Sequence, residues 1–327
     1  MKGVSRNGVY NCEREKIGNG RSSVDFDIGD TNDVEITCPR GGLDFGMYLI
    51  CPGTEYGALI EESDSWTNSA TETWRGNAFR KFLQQYIIEP TSGQDYRTVS
   101  GDAHDVFREI IGNVYDGLFA IPEEKSGIDV GTYRFDRYTD ALSGFTKMLK
   151  RVNARVNIEI KQGDANEPFS VILSAVPIQN LSSEIEYSQD SKIAINMSES
   201  RRGINHLICL GKGELKNRQV VHLYVQLDGS ISQKKHYTGL NERTTVYDYS
   251  NAESIEDLTT KGKEQLATLM GRKVMAMSVQ DVDVQIGDII GGRDYEKQIY
   301  MQKPVVQKIV KIEQGNLSIE YKVEGEE

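Results

Sequence analysis

The sequence is poor in the residues that carry chemistry: its 327 residues include four cysteines, four histidines and two tryptophans. Cys12, Cys38, Cys51 and Cys209 are scattered within or beside apolar runs, where a thiol packs as a small hydrophobe. No Cys-x-x-Cys pair or Cys/His zinc spacing occurs, so buried free thiols are expected rather than disulfides or a metal. There is no Gly-x-Ser-x-Gly, no Walker A and no His-Glu-x-x-His, and Gly211-x-Gly213 lacks the third glycine and following helix of a dinucleotide loop. Each absence removes a common enzyme class. No run approaches the roughly 18 apolar residues of a membrane span. The N-terminal MKGVSRNGVYNCEREK is charged with no apolar core behind it, so it does not read as a signal peptide and synthesis in a cytoplasm is expected. Basic charge is short as well: 38 Lys and Arg face 49 Asp and Glu, a net charge of −11. That balance argues against a protein that binds nucleic acid by neutralising phosphates.

What is present is material for several small cores. A content of 38% hydrophobic and 27% charged residues is that of a soluble globular protein. The length suits two to four units better than one core. The chain is organised around residues 203–237, where 204–210, 219–226 and 231–237 read as strands, the last following a tight Asp228-Gly229 turn. Comparable strands resume only at 273–279, 283–290 and 305–323, so a β domain interrupted by an inserted unit is expected. Between them Ser254, with Asp257 three residues on, reads as the N-cap of a helix burying Leu258, Gly262, Leu266 and Leu269.

Upstream, 23–28 and 34–38 alternate apolar and polar residues, 47–51 and 56–60 are apolar runs, and glycines punctuate them, which fits a small barrel or sandwich. At Trp74-Arg75-Gly76 the period changes. Ala78, Phe79, Phe82, Leu83, Tyr86 and Ile87 form one helical stripe ended by Glu89-Pro90. A second helix is expected from Asp102 as N-cap to Gly117, and a third from Thr139 through Leu142, Phe145, Met148 and Leu149. Strands at 155–161 and 169–176, joined by Gln162-Gly163-Asp164, complete an α+β unit with its own core. A last turn is expected at Gln314-Gly315-Asn316, and residues 324–327 read as an acidic solvated tail.

Four constellations invite chemical readings, each beside a plainer one. His104, His206, His222 and His236 are not spaced as a local metal site, but His206 and His222 can face each other across neighbouring strands, as a metal or acid/base pair or as polar residues on a half-exposed sheet; the last is expected. Asp281 and Asp283, with Asp288 beyond, resemble part of a calcium loop without the EF-hand pattern, and turn or edge carboxylates are expected. Trp66, Trp74 and Tyr56 offer a sugar platform or, as expected, packing at a domain junction. Arg201-Arg202 reads as salt-bridging or interfacial. No catalytic, cofactor-binding or metal residue is assigned, and no cofactor is expected.

Larger stretches carry a resemblance. NHLICLGKGELKNRQVVHLYV, VYDYSNAES before a helix, VQIGDIIGGRD with KPVVQKIVKI, and IEYKVEGE resemble siphophage hub-like tail-tip proteins of phages and prophages, related in architecture to the baseplate hubs of contractile tails. The resemblance is strongest over about 200–325 and weaker in TETWRGNAFRKFLQQYIIEP and SGDAHDVFREIIGNVY. It implies an α+β multidomain chain: a first β-barrel hub domain at 1–72, an α+β domain at 73–190, a second, discontinuous barrel at 191–213 and 280–327, and an inserted ββαβ domain at 214–279. It also implies a non-enzymatic homotrimeric ring at the tip of a virion tail or tail-like particle, adapting a sixfold tail tube to a threefold spike. Its expected partners are the tail tube or distal tail ring protein, a spike or tip protein and the tape measure protein, with no specific nucleic-acid binding and no membrane span. An acidic lumen that does not retain passing DNA is a further expectation, beside net charge that merely keeps the protein soluble. A carbohydrate-binding tip and a peptidoglycan hydrolase using an Asp/Glu pair are the alternatives.

Overall fold

The structure is a computed structural model that describes residues 9–11, 22–163, 169–182, 193–200, 202–279, 284–294, 299–313 and 316–323. In chain order the first strands are β1 (Val9–Asn11), β2 (Ser23–Ile28), β3 (Asp33–Pro39), β4 (Tyr48–Ile50), β5 (Gly57–Ser65) and β6 (Thr71–Ala78). Helix α1 (Phe79–Gln85), β7 (Thr98–Val99), α2 (Ala103–Ile111), β8 (Phe119–Ala120), β9 (Tyr133–Arg134), α3 (Ala141–Lys150), β10 (Ala154–Lys161) and β11 (Ser170–Pro177) follow. The remainder comprises β12 (Ile193–Ser200), β13 (His206–Leu210), β14 (Val220–Val225), β15 (Ile231–Ser232), β16 (Thr244–Asp248), α4 (Ile255–Leu269), β17 (Arg272–Val279), β18 (Ile289–Asp294), β19 (Ile299–Glu313) and β20 (Asn316–Val323). These form two compact units, Met1–Ala194 with Met277–Val323, and a second built on Ile195–Ala276.

In the first unit the strands run β1-β4-β5-β6-β3-β2-β19-β20, with β18 also on β19. The alternation expected of β2 and β3 is observed. Val24, Phe26 and Ile28 are buried, as are Val34, Ile36 and Cys38, and the antiparallel register sets Val24 beside Ile36 and Phe26 beside Val34. The turn between them is held by Asn32, whose Oδ1 accepts from the Gly29 N–H at 2.7 Å and whose φ of 55° suits asparagine better than most residues. Gly29 itself has φ +110°, and a Cβ there would lie 2.1 Å from the Val306 carbonyl, so the close approach of this turn to β19 requires glycine.

The joining of the two chain ends differs from the two separate barrels expected. β19 pairs through Lys308–Glu313 with β2 on one edge and through Val305–Glu313 with β20 on the other, merging the early and late strands into one sheet. Among the described residues no pairing closes that sheet into a barrel. The expected turn at residues 314–315 and tail at 324–327 lie outside the described residues.

The α+β segment packs a core that also takes in Ile50 of β4. Phe79, Leu83, Val106, Phe107, Phe145, Met148 and Leu149 pack with Ile158, Ile160, Val171 and Leu173 of the β10–β11 hairpin. Asp102 caps α2 by accepting from the His104 N–H at 2.9 Å, and Asp140, one residue beyond the expected Thr139, caps α3 through the Ser143 N–H at 2.8 Å. Helix α2 ends at Ile111, short of Gly117, where a turn of 3-10 helix follows. This segment belongs to the first unit: Gly53 donates to the Ile160 carbonyl at 2.9 Å and Ile160 to that of Thr54 at 2.8 Å.

The second unit is a sheet in the order β15-β14-β13-β16, one face of which carries α4. The expected boundary of the insertion at 214 shifts upstream, because β13 pairs with β14 on one side and β16 on the other and buries Leu207 and Cys209 under α4. The expected strand at 231–237 is only Ile231–Ser232. The remaining edge of β13 is taken instead by β16, which sequence reading left unassigned because its alternate residues Thr244, Val246 and Asp248 are exposed. Ser254 caps α4 by accepting from the Asp257 N–H at 3.1 Å, while the Asp257 carboxylate accepts from the Glu253 N–H, also at 3.1 Å, one residue short of a reciprocal box.

Gly262 sets the distance of α4 from the sheet, since a Cβ there would lie 2.5 Å from Cys209 Sγ and 2.8 Å from Leu223 Cδ1. Gly262→Ala is expected to lower the stability of this unit by about 1–3 kcal/mol by overpacking. Adding Cys209→Ala, which empties the space the new methyl needs, is expected to recover part of that loss in a denaturant-unfolding double-mutant cycle.

Candidate functional site

Two polar clusters stand out, one in each unit. In the first, the core-facing row of β19 runs Ile312, Val310, Lys308, placed beside Val24, Phe26 and Ile28 of β2. A lysine therefore occupies a core position, 1% exposed. Its Nζ donates to Gln285 Oε1 at 2.9 Å, lies 3.8 Å from Glu55 Oε1, and sits 5.1 and 5.8 Å from the ring centroids of Tyr56 and Tyr321. Glu55, in the β4–β5 loop, is buried too, and its Oε2 accepts from Arg80 Nη2 at 2.6 Å and Nε at 3.2 Å. The cluster thus ties an early loop, α1 and a late strand. Burial alone would raise the Glu55 pKa; Arg80, then Lys308, and Arg155 outweigh it and hold the carboxyl below its ordinary 4.5.

A neighbouring tie was not foreseen. Asp288, expected at a turn or edge, is fully buried: Oδ1 accepts from Arg155 Nε at 2.7 Å and from the Gln179 N–H at 3.0 Å, and Oδ2 from the Gln285 N–H at 3.1 Å. Gly287 precedes it with φ +98° and packs against Arg155. Asp288 is therefore a structural acceptor; Asp281 and Asp283 lie outside the described residues.

The second unit brings together two histidines that the sequence set 16 residues apart. β13 and β14 are antiparallel with His206 opposite Tyr224 and Ile208 opposite His222, so the histidines are diagonal neighbours on the face away from α4. His206 Nδ1 lies 2.8 Å from Glu242 Oε1 and 3.0 Å from Thr244 Oγ1, and His206 Nε2 lies 2.8 Å from His222 Nδ1. A carboxylate only accepts, so Nδ1 of His206 carries the proton, Nε2 of the neutral ring is the acceptor, and His222 Nδ1 donates. Lys235 closes the chain on Glu242 Oε2 at 2.7 Å, and Tyr224 stacks on His206 with centroids 4.3 Å apart. His206 is buried and His222 exposed. Burial lowers the His206 pKa, with His222 and Lys235 adding to the effect against the opposing Glu242.

The other residues singled out stay apart. His104 is a structural clasp: its Nε2 accepts from the Ala175 N–H at 3.2 Å, which leaves Nδ1 to donate to the Glu124 carbonyl at 2.8 Å. His236 packs edge-on against Tyr237. Trp66 is 73% exposed, whereas Trp74 is 6% exposed and packs in the core under Phe45, so the two present no shared aromatic platform. Cys38 and Cys209 are buried free thiols, and burial pushes Cys209 up to about 11; Cys51 is half-buried, and Cys12 lies outside the described residues. Arg202 is exposed, and Arg201 lies outside the described residues. Among the described residues no three His, Cys, Asp or Glu side chains gather as a metal cluster, and no helix is long and apolar enough to cross a membrane.

No protein-family model matches the chain, and no curated protein matches it in sequence. Solved structures similar to it include tail proteins, two of them from prophages. A tail protein from Neisseria meningitidis MC58 is 13% identical, with 93% of this chain and 91% of that one covered and a TM-score of 0.45. Prophage tail protein gp18 from Listeria monocytogenes EGD-e is 12% identical, with 93% and 88% covered and a TM-score of 0.44. The 43 kDa tail protein of prophage MuSo2 from Shewanella oneidensis is 8% identical, with 93% and 94% covered and a TM-score of 0.47. Similarity at this level does not transfer a neighbour's role.

The Glu55 cluster makes a pH-dependent contribution whose sign follows from the lowered pKa. The contribution is complete above the ordinary value of 4.5 and is lost as pH falls from there through the folded-state value. Glu55→Gln, which strands Arg80 and Lys308 in the core, is expected to cost about 3–5 kcal/mol at neutral pH. Lys308→Met, which leaves the Arg80–Glu55 pair intact, is expected to cost less. Urea titrations at pH 7 and pH 4 measure both, and the Gln variant should have lost the wild-type protein's Glu55-linked acid sensitivity.

Proposed function

We propose that this chain is a structural tail-tip hub protein with no catalytic role. Three copies close into a ring that adapts a sixfold tail tube to a threefold spike or tip. The observation that carries this reading is the first unit's sheet, in which early strands (β4-β5-β6-β3-β2) and late strands (β19-β20, with β18) sit edge to edge. One chain thereby contributes two strand groups, separated in sequence by the α+β segment and the second unit. In the proposed ring the early and late strand groups, although joined in one sheet, stand in for the two barrels expected, so that three chains offer six groups to a sixfold tube. The resemblance of residues 205–225, 284–294 and 303–312 to hub-like tail proteins supports the same reading.

The division of labour follows from this arrangement. The two strand groups are proposed as the tube-facing modules, and the α+β segment and the second unit as the surfaces that meet the distal tail ring, spike or tip and tape measure proteins in a virion tail or tail-like particle. A ring of this kind needs an extensive subunit interface, of the 2,000 Å² or more typical of obligate assemblies.

The mass of the purified full chain and electron micrographs of the tail tip test the proposal. A species of three times 36.7 kDa with threefold class averages is expected. A stable monomer that binds neither a tube end nor a tip protein would overturn it.

A further inference from the structure

The geometry points to His206 and His222 as a binding site for a divalent transition-metal ion of the imidazole-preferring class, with Glu242 as the carboxylate that orients His206. The assignment is independent of the tail-hub reading, because it rests on the second unit alone.

Three features carry it. First, the two nitrogens already face one another across the strand pair, with His206 Nε2 2.8 Å from His222 Nδ1 and ring centroids 5.1 Å apart. Two imidazoles in adjacent positions of a tetragonal ion, each at about 2.0 Å, place their nitrogens about 2.8 Å apart, and on a tetrahedral ion about 3.3 Å. The observed separation is close to the first and about half an ångström short of the second. His222 is exposed and is the ring free to tilt until both lone pairs converge.

Second, His206 has the partner that metal-ligating histidines usually have. Its Nδ1–H is held by Glu242 at 2.8 Å, which fixes the ring and turns the Nε2 lone pair toward His222. Glu242 is itself fixed by Lys235 at 2.7 Å, so His206 is oriented before any ion arrives. Third, the proton now shared between the rings has somewhere to go. When an ion takes Nδ1 of His222, the proton moves to Nε2 of that exposed ring, so both ligands stay neutral and no base is needed.

Two protein ligands leave the remaining positions to water or to a donor from an adjoining protein. Imidazole donors favour Cu2+, Ni2+ and Zn2+ over Mg2+ and Ca2+.

The test uses the full chain without a polyhistidine tag. Calorimetric titration with Cu2+ and Ni2+ is expected to show one saturable ion per chain, and the electron paramagnetic resonance spectrum of the Cu2+ form to report two imidazole nitrogens. His222→Ala, at an exposed position, should keep the unfolding midpoint of the metal-free protein, lower affinity at least tenfold and leave one nitrogen in the spectrum. Glu242→Gln should weaken binding about 10–100-fold while keeping both nitrogens. His236→Ala should change nothing. The assignment fails if no one-to-one binding occurs, if His222→Ala binds as tightly as the wild type, or if Mg2+ competes at equal concentration.

Discussion

The first unit depends on a charge placed where an apolar residue belongs. Lys308 lies in the core row of β19 between strands from opposite ends of the sequence, and a buried ammonium is tolerable only with acceptors and aromatic faces around it. Gln285, Glu55, Tyr56 and Tyr321 supply them, and Arg80 shares the Glu55 carboxylate. An arrangement of this kind is a weak source of net stability, because desolvation offsets much of the attraction. Its effect is on pairing: a one-residue slip of β19 against β2 would turn Lys308 out of the core and leave Glu55 short of a counter-charge. The nearby Arg155–Asp288 pair performs the same task between β10 and the segment leading into β18.

The second unit is organised the other way. Its apolar contacts lie on one face of the sheet, where Leu207, Cys209, Leu223, Leu258 and Leu266 pack and Gly262 lets α4 come close. The opposite face keeps its polar groups near water, and there the Lys235, Glu242, His206 and His222 chain is ordered by hydrogen bonds.

Much of the local structure was legible in the residues. Asp102 and Ser254 cap the helices expected of them, and β2 and β3 alternate as their sequences alternate. Of the stripe expected from Ala78 to Ile87, Phe79 and Leu83 are buried on α1, but the helix ends at Gln85, Ala78 closes β6, and Tyr86 and Ile87 are extended. β16 carries little apolar signal because one face of this edge strand is exposed, and the strand expected at 231–237 from the Asp228-Gly229 turn stops at Ser232, where its ladder with β14 ends. Asp288 closes a turn, as expected of it, but its burial against Arg155 was not legible, since nothing in the residues around it indicates an arginine 133 positions away. The histidine pair was visible as an option, and the register of β13 against β14 selected it.

What the sequence determined by itself is what spacing of a few residues can encode: helical stripes, caps, strand alternation, and the lack of local catalytic motifs. The tertiary structure alone decided that β2 joins β19, that Lys308 meets Glu55, and that His206 meets His222. The reason is range. A cap or a stripe is satisfied within a turn or two of chain, whereas a sheet edge or a buried charge is satisfied by whatever the folded chain brings beside it, at a sequence distance that no local pattern records.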